Sequence, residues 1–248
     1  MKRGTLAWWL QRFRARRALR TFDPWKLGNV RVWLAASSPG TAYTDGQAVS
    51  TWSDLSGAGN HFTQGTAGAQ PLFRTNRFGT QPAVVFDGTD DFLSCAGGSA
   101  LGFTSATIFL ARDAVASQSP LAIGVPTWTQ EFLILDKTVY HHSMASNFRT
   151  LGHQLSPAGV FVQSVVFGTA QNVLENYLTG VGSRFASSIF GSPVDYAAVS
   201  RAAWLGSRDG NPSFFNGAMA EVLVFAGVLG DVKRVQVERY LMAKFNLS

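Results

Sequence analysis

The chain has 248 residues, of which 46% are hydrophobic and 15% charged, and it contains 25 Gly, 19 Phe and 7 Trp. A chain of this length and composition can bury a large core, which excludes a mainly disordered protein, and its one cysteine excludes both a disulfide framework and a cysteine-based zinc site. The net charge of +6 is uneven, because residues 1–31 carry +8 and the remainder carries −2.

Residues 1–29 are predicted to form a basic amphipathic arm. From Leu6 to Phe13 apolar residues recur at i, i+3, i+4 and i+7, the spacing of one helix face, while arginines lie off that face. The helix is predicted to stop at Asp23-Pro24, because proline cannot continue it. The residues expected to contact a partner are Leu6, Trp8, Trp9, Leu10, Phe13, Arg12, Arg16 and Arg17.

Three interpretations of this arm compete. It packs on its own domain, it contacts nucleic acid or an anionic membrane surface, or it inserts into a groove of another protein. The last is favoured, because burying the apolar face would contribute on the order of 6–12 kcal/mol, whereas each exposed charge contact contributes roughly 0–1 kcal/mol. Nucleic acid and membrane are therefore the less favoured partners.

The start of the chain resembles a signal peptide in its basic residues but not in the length of its apolar run. The run from Leu6 to Leu10 is shorter than the roughly 7–15 apolar residues of a signal peptide. No segment approaches the roughly 18 apolar residues of a membrane span. We therefore expect no signal peptide and no transmembrane segment, and assembly of the protein in the cytoplasm of its host cell.

From about Val30 the sequence changes to short β-type runs separated by Gly, Pro, Ser and Asn. Such a series predicts an all-β domain over residues 30–248, built as a sandwich of two antiparallel sheets. The predicted strands are Val30–Leu34, Ala83–Phe86, Ala106–Ala111, Glu131–Leu135, Val160–Phe167, Val173–Leu178, Tyr196–Leu205 and Ala218–Phe225.

A short C-terminal helix is predicted to begin at Asp231 and to lie against the sandwich. Its buried residues are predicted to be Val237, Tyr240, Leu241 and Phe245. Its exposed residues are predicted to be Lys233, Arg234, Glu238 and Arg239.

Several motifs resemble one family. Two segments are similar to the opening of concanavalin A-like (laminin G-like) jelly-roll domains: Val32-Trp33-Leu34-Ala35-Ala36-Ser37, and then Val49-Ser50-Thr51-Trp52-Ser53-Asp54-Leu55-Ser56-Gly57-Ala58-Gly59-Asn60-His61. Further similar segments are Gln70-Pro71, Pro82–Leu93, Phe215–Phe225 and Tyr240–Phe245. The resemblance covers about residues 30–248, and it implies the jelly-roll fold, of the kind found in phage virion proteins.

Two of these motifs have a local physical explanation. The Ser56–Asn60 segment is rich in residues that accept positive φ, and Asp54 is placed to accept backbone N–H bonds from that turn. Asp87, Asp90 and Asp91 are interpreted as part of a hairpin turn, with a calcium site as the alternative. No other metal site and no other cofactor is predicted.

The acidic residues lack the spacing of a glycoside hydrolase. None of Glu131, Glu175, Glu221 and Glu238 has partners at the E-x-D-x-x-E spacing of β-glucanases with this fold. Glu221 is expected to be a buried, paired carboxylate, with a chemical role as the alternative. We therefore predict that the protein is not an enzyme and has no catalytic residues.

Recognition of sugar requires aromatic rings and a few polar groups on loops, and two regions offer them. A structural role for these aromatic residues within the sheets is the competing interpretation, and for His141 and His142 an exposed loop is favoured over a metal site. The candidate glycan-binding residues are Trp128, Tyr140, His141, His142, Asn147, Arg208, Asp209 and Asn211.

These observations predict a non-enzymatic structural or adhesion protein of a phage or phage-like virion. The arm would dock on another virion protein of the capsid or tail, and the lectin-like domain would contact cell-surface polysaccharide. A homo-oligomer is compatible with this function, although no heptad or collagen-like repeat enforces a trimer. The alternatives are a stand-alone carbohydrate-binding module and a protein that associates with nucleic acid or membrane through the arm.

Overall fold

Two antiparallel sheets and one C-terminal helix make up the part of the chain that the computed structural model describes. The described residues are 22–38, 43–96, 101, 105–113, 120–125, 130–135, 138–143, 147–151, 159–168, 173–178, 183–188, 202–208, 210 and 213–247. The predicted N-terminal helix lies outside them.

The strands, in chain order, are short apart from β16. They are β1 Val30–Ala35, β2 Thr51–Trp52, β3 Phe62–Thr63, β4 Leu72–Phe78, β5 Gln81–Asp87, β6 Leu93–Cys95, β7 Ser105–Arg112, β8 Leu121–Val125, β9 Gln130–Leu135, β10 Thr138–Ser143, β11 Asn147–Leu151, β12 Phe161–Gly168, β13 Val173–Leu178, β14 Ser183–Ser188, β15 Ala202–Leu205 and β16 Asn216–Ala226. Short 3₁₀ helices lie at Pro24–Leu27 and Ala67–Ala69, and the α-helix, α1, spans Asp231–Lys244.

The chain crosses repeatedly between the two sheets. The first sheet has the order β14-β13-β12-β7-β16-β5-β4, with β1 also paired to β16, and the second has the order β11-β10-β9-β8-β15-β6-β3-β2. Because β16 is 11 residues long, one of its edges pairs β5 at Asn216–Met219 and then β1 at Glu221–Phe225. The prediction of two antiparallel sheets is confirmed.

Alternating side chains of β7 supply two separate cores. Ile108 and Leu110 point toward the second sheet, and Phe109 and Ala111 point toward α1. This alternation is the period of two expected for a strand that is covered on both faces. The first sheet is therefore the middle layer of the fold, between the second sheet and the helix.

Helix α1 covers the outer face of the first sheet with Val237, Tyr240, Leu241 and Phe245, as predicted. The prediction that Arg234 and Glu238 are exposed is wrong, because both are buried. The Arg234 guanidinium lies 3.7 Å from the centroid of the Tyr177 ring and pairs with Glu238, so its charge has partners within the protein. Among the described residues, no helix combines the length and the hydrophobicity needed to cross a bilayer.

Residues 22–29, which the sequence analysis assigns to the arm, lie against the sandwich. The Phe22 ring centroid is 5.6 Å from that of Tyr240. Asp23 caps the 3₁₀ helix, because its Oδ1 accepts a 3.0 Å hydrogen bond from the Trp25 N–H, and Trp25 Nε1 donates to the Leu55 carbonyl at 3.3 Å. The first described residue, Phe22, therefore lies beside α1.

The turn after β2 is held by one buried carboxylate. Asp54 Oδ1 accepts from the backbone N–H groups of Trp33 and Ser56, each at 2.9 Å, and its Oδ2 accepts from Asn60 N–H at 3.0 Å and the Ser56 hydroxyl at 2.6 Å. Gly57 and Gly59 have φ of +73° and +76°, as the sequence predicts. Since Trp33 belongs to β1, Asp54 also attaches this turn to the first sheet.

Replacing Asp54 with Ala removes every one of these acceptors, and we expect the free energy of unfolding to fall by about 2–4 kcal/mol. The measurement is urea unfolding followed by tryptophan fluorescence. Asp45→Ala is the matched control, because Asp45 also accepts a backbone hydrogen bond, from Thr75, but is solvent-exposed. Equal losses in the two variants would contradict the argument from burial.

Candidate functional site

A cleft opens on the outer face of the first sheet, between β1, the start of β5 and the C-terminal end of α1. Its volume is about 420 Å³, within the range of small-ligand sites. Three aromatic side chains and four polar ones line it: Phe22, Trp33, Tyr240, Asp23, Ser37, Gln81 and Lys244. The cleft is therefore formed by segments from both ends of the chain.

The carboxylate of Glu221, which is fully buried, holds the walls of this cleft together. Its Oε1 accepts hydrogen bonds from Trp33 Nε1 at 2.8 Å and from the Tyr240 hydroxyl at 3.0 Å. Its Oε2 lies 2.6 Å from Lys244 Nζ. The side chain is thus the buried, paired carboxylate that the sequence predicts, and both oxygens are engaged.

Strand geometry places Glu221 under the helix. Leu223 and Phe225, at alternate positions of β16, belong to the core below α1, and Glu221 continues that row. Met219, two residues before Glu221, does not belong to this row, because a register irregularity between Met219 and Glu221 places it in the core between the sheets. Ala35 is the cross-strand partner of Glu221, and Trp33 therefore reaches it diagonally.

The surroundings of Tyr240 decide the protonation of its phenol. Burial, together with the nearby charge of Glu221, raises the pKa of the Tyr240 phenol well above its usual range. Tyr240 therefore keeps its proton and serves as a hydrogen-bond donor to Glu221. Lys244 supplies the counter-charge, so the Trp33–Glu221–Tyr240–Lys244 cluster is neutral overall.

Several polar atoms of the cleft are available to a ligand. Within the described part of the chain, the Gln81 amide and the Ser37 hydroxyl make no hydrogen bond, and both side chains are partly exposed. Asp23 uses one carboxylate oxygen to cap its helix, and Lys244 Nζ has two partners for its three N–H groups. The free groups comprise both donors and acceptors, next to aromatic rings.

The glycan-binding residues predicted from sequence lie elsewhere or outside the described residues. Tyr140, His141 and His142 lie in strand β10, so the two histidines belong to a strand and not to the expected loop. Asn147 begins the neighbouring β11. Arg208 is half-buried just after β15. The other predicted residues lie outside the described part of the chain. They are the glycan-binding candidates Trp128, Asp209 and Asn211 and the docking residues Leu6, Trp8, Trp9, Leu10, Phe13, Arg12, Arg16 and Arg17.

Sequence reasoning missed the cleft itself. Trp33 and Ser37 were recognised only as parts of a fold motif, Glu221 was recognised as a buried carboxylate but not as part of a cleft, and Gln81 carries no motif. Residues 23 and 244 come together only because α1 returns across the outer face of the first sheet. No local spacing in the sequence could have indicated that arrangement.

The acidic loop after β5 is organised by its own hydrogen bonds. Asp87 Oδ1 accepts from the Thr89 N–H at 2.7 Å, and Asp91 Oδ2 accepts from the Asp87 N–H at 2.9 Å. Gly88 has φ of +80°, as a tight turn requires. These bonds support the turn interpretation. Carboxylate oxygens of Asp87, Asp90 and Asp91 lie within 4.8 Å of one another, and a calcium site there stays a prediction.

A second buried polar group lies on the inner face of the first sheet. Arg112 Nη2 donates to Gln163 Oε1 at 2.8 Å, and Gln163 Nε2 donates to Asn176 Oδ1 at 3.1 Å. The Arg112 guanidinium also lies 4.7 Å from the centroid of the Phe161 ring. This row joins β7, β12 and β13, which is a structural role.

Comparison with known proteins identifies the fold but no family. No protein-family model matches the sequence, and neither does any curated protein. Domain 4 of AbnA, a GH43 extracellular arabinanase from Geobacillus stearothermophilus solved in complex with arabinotriose, matches with a TM-score of 0.58 and 11% identity, covering 79% of this chain and 100% of that one. An arabinofuranosidase complexed with arabinofuranosyl-α-1,2-xylobiose matches with a TM-score of 0.52 and 16% identity, covering 79% of this chain and 51% of that one. These likenesses are consistent with the predicted concanavalin A-like sandwich.

Asp91 provides a test of the acidic turn. Burial, assisted by Asp87 and Asp90, raises the pKa of Asp91 to about 6. Because the folded state then binds the proton more tightly than the unfolded state, this group lowers the free energy of unfolding as the pH rises from about 4 to about 6. Asp91→Asn keeps an acceptor for the Asp87 N–H and should remove that decline, as measured by urea unfolding across the pH range. An unchanged pH profile would contradict the assignment.

Proposed function

We propose that this protein binds carbohydrate through the cleft above Glu221 and does not cleave it. The observation that carries the proposal is the combination, among the described residues of one cleft of about 420 Å³, of three aromatic rings with an unbonded amide, an unbonded hydroxyl and one free carboxylate oxygen. Sugars present apolar ring faces to aromatic side chains and hydroxyls that both donate and accept hydrogen bonds. The cleft supplies partners for both.

The absence of cleavage is supported by the state of the acids at this site. Hydrolysis of a glycosidic bond commonly uses two carboxyl groups that flank the bond, one of them donating a proton. Glu221 is buried and bonded through both oxygens to Trp33, Tyr240 and Lys244. Such a carboxylate is not placed to attack a sugar or to exchange protons with it.

The choice of first ligand is guided by the fold comparisons. Domain 4 of AbnA was solved with arabinotriose, and the arabinofuranosidase was solved with an arabinose-substituted xylobiose. Both ligands are short, uncharged oligosaccharides. Arabinotriose and xylotriose are therefore suitable first probes for this protein.

Replacing Gln81 or Ser37 with Ala should weaken binding of the preferred oligosaccharide about 3- to 10-fold, the effect of one lost hydrogen bond. Neither side chain makes a hydrogen bond in the described structure, so stability should be unchanged. Binding is measured by isothermal titration calorimetry on the full chain. Gln236→Ala, an exposed glutamine of α1 that does not line the cleft, is the matched control. Unaltered affinity in both cleft variants would place the sugar site elsewhere.

The finer proposal is that the arm anchors the protein to a phage or phage-like virion, as a decoration, spike or fibre component. Its support is the charge distribution: residues 1–21 contain seven basic residues and no acid, while the rest of the chain is nearly neutral. The apolar face from Leu6 to Phe13 adds a surface suited to a protein groove. A stand-alone carbohydrate-binding module remains the alternative.

Replacing both Trp9 and Phe13 with Glu should remove the protein from the particle fraction of a density gradient, because the two glutamates place charge on the apolar face. Arg14→Gln, off that face, should leave the association intact. Raising the salt concentration separates the alternatives, since binding through phosphate contacts weakens steeply with salt and apolar docking does not. Loss of association at moderate salt in the unaltered protein would favour a nucleic-acid partner.

A further inference from the structure

We infer that Glu221 sets the charge specificity of the cleft, so that it accepts uncharged sugars and excludes anionic ones. The inference rests on the proposed function and names the ligand class of the same site. Glu221 acts through Lys244 and not by touching the sugar. It is therefore a specificity-determining residue in the floor of the site.

Lys244 is the only basic residue among those that line the described cleft. Its Nζ lies 2.6 Å from Glu221 Oε2 and 3.2 Å from the Tyr240 hydroxyl. Its side chain is 19% exposed, whereas the Glu221 side chain is fully buried. The cation that could attract an anionic ligand is therefore already held by a carboxylate below the cleft surface.

The remaining charge at the cleft has the wrong sign for an anion. With the formal charges of Glu221 and Lys244 cancelling each other, Asp23 leaves the described lining residues with a net negative charge. An anionic sugar would have to lose water next to the Asp23 carboxylate without gaining a free cation from these residues in return, which is unfavourable. An uncharged sugar avoids that cost and can still bond to Gln81 and Ser37.

A purely structural role for Glu221 would predict something different. Loss of the carboxylate would then change stability, and it would weaken binding of all sugars alike. The inference predicts instead a change in which ligands are bound. Glu221→Gln makes the distinction, because the amide oxygen can still accept from Trp33 and Tyr240 while Lys244 loses its counter-charge.

The experiment measures binding of arabinotriose, xylotriose and trigalacturonic acid to the full chain by calorimetry, at 50 and 500 mM NaCl. We expect the unaltered protein to bind a neutral trisaccharide with little dependence on salt and to show no measurable binding of trigalacturonate. Glu221→Gln should gain trigalacturonate binding by at least about tenfold at low salt, and the gain should shrink at high salt because the free ammonium is screened.

Glu238→Gln is the matched control. Glu238 is also buried and paired with a cation, Arg234, but it lies away from the cleft. Its substitution should leave the preference for neutral sugar unchanged. Ser37→Lys is the second test, since it adds a cation without disturbing the buried cluster, and it should also confer binding of trigalacturonate.

The outcomes separate the two proposals. If the unaltered protein binds no neutral or anionic trisaccharide, the proposed function fails. If it binds trigalacturonate as well as the neutral sugars, carbohydrate binding stands and the inference is overturned. The inference is also overturned if a folded Glu221→Gln or Ser37→Lys protein gains no binding of the anionic sugar; where Glu221→Gln does not fold, Ser37→Lys decides.

Discussion

The carboxylate of Glu221 is the interaction on which the cleft depends. It joins β1, through Trp33, to the C-terminal turn of α1, through Tyr240 and Lys244. Burying one carboxylate without partners would be strongly unfavourable, so the three donors have to be in place at once. The position of α1 on the sheet is therefore coupled to the geometry of the cleft wall.

Strand β16 makes this arrangement possible because it is the longest of the described strands and lies in the middle of the first sheet. Its two faces serve different layers, with Val222 and Val224 facing the second sheet and Leu223 and Phe225 facing the helix. A single polar residue on the helix-facing side then becomes the floor of the cleft. The aromatic rings around it are supplied by β1, α1 and the segment that begins at Phe22.

Three buried carboxylates of the protein show how the surroundings determine what an acid does. Asp54 is surrounded by N–H and hydroxyl donors of its own turn and of β1, and it organises the local backbone. Asp91 lies beside two other acids, and burial raises its pKa to about 6. Glu221 differs from both because a lysine cancels its charge. The three residues share a chemical group and have distinct roles.

The amino-acid sequence by itself determined the elements that depend on local pattern. Three such patterns are the period of two in residues 106–111 and 218–225, the glycines of the Asp54 turn and the apolar face of α1. Each depends on short-range geometry, and the predicted sheets and helix follow from them. Exposure of Arg234 and Glu238 was mispredicted because their burial depends on Tyr177, a residue of a distant strand. The cleft likewise required the tertiary structure, since Asp23, Gln81, Glu221 and Lys244 are far apart in the chain. Only the packing of the helix on the first sheet brings them together, because a contact between distant segments leaves no periodic signal in either one.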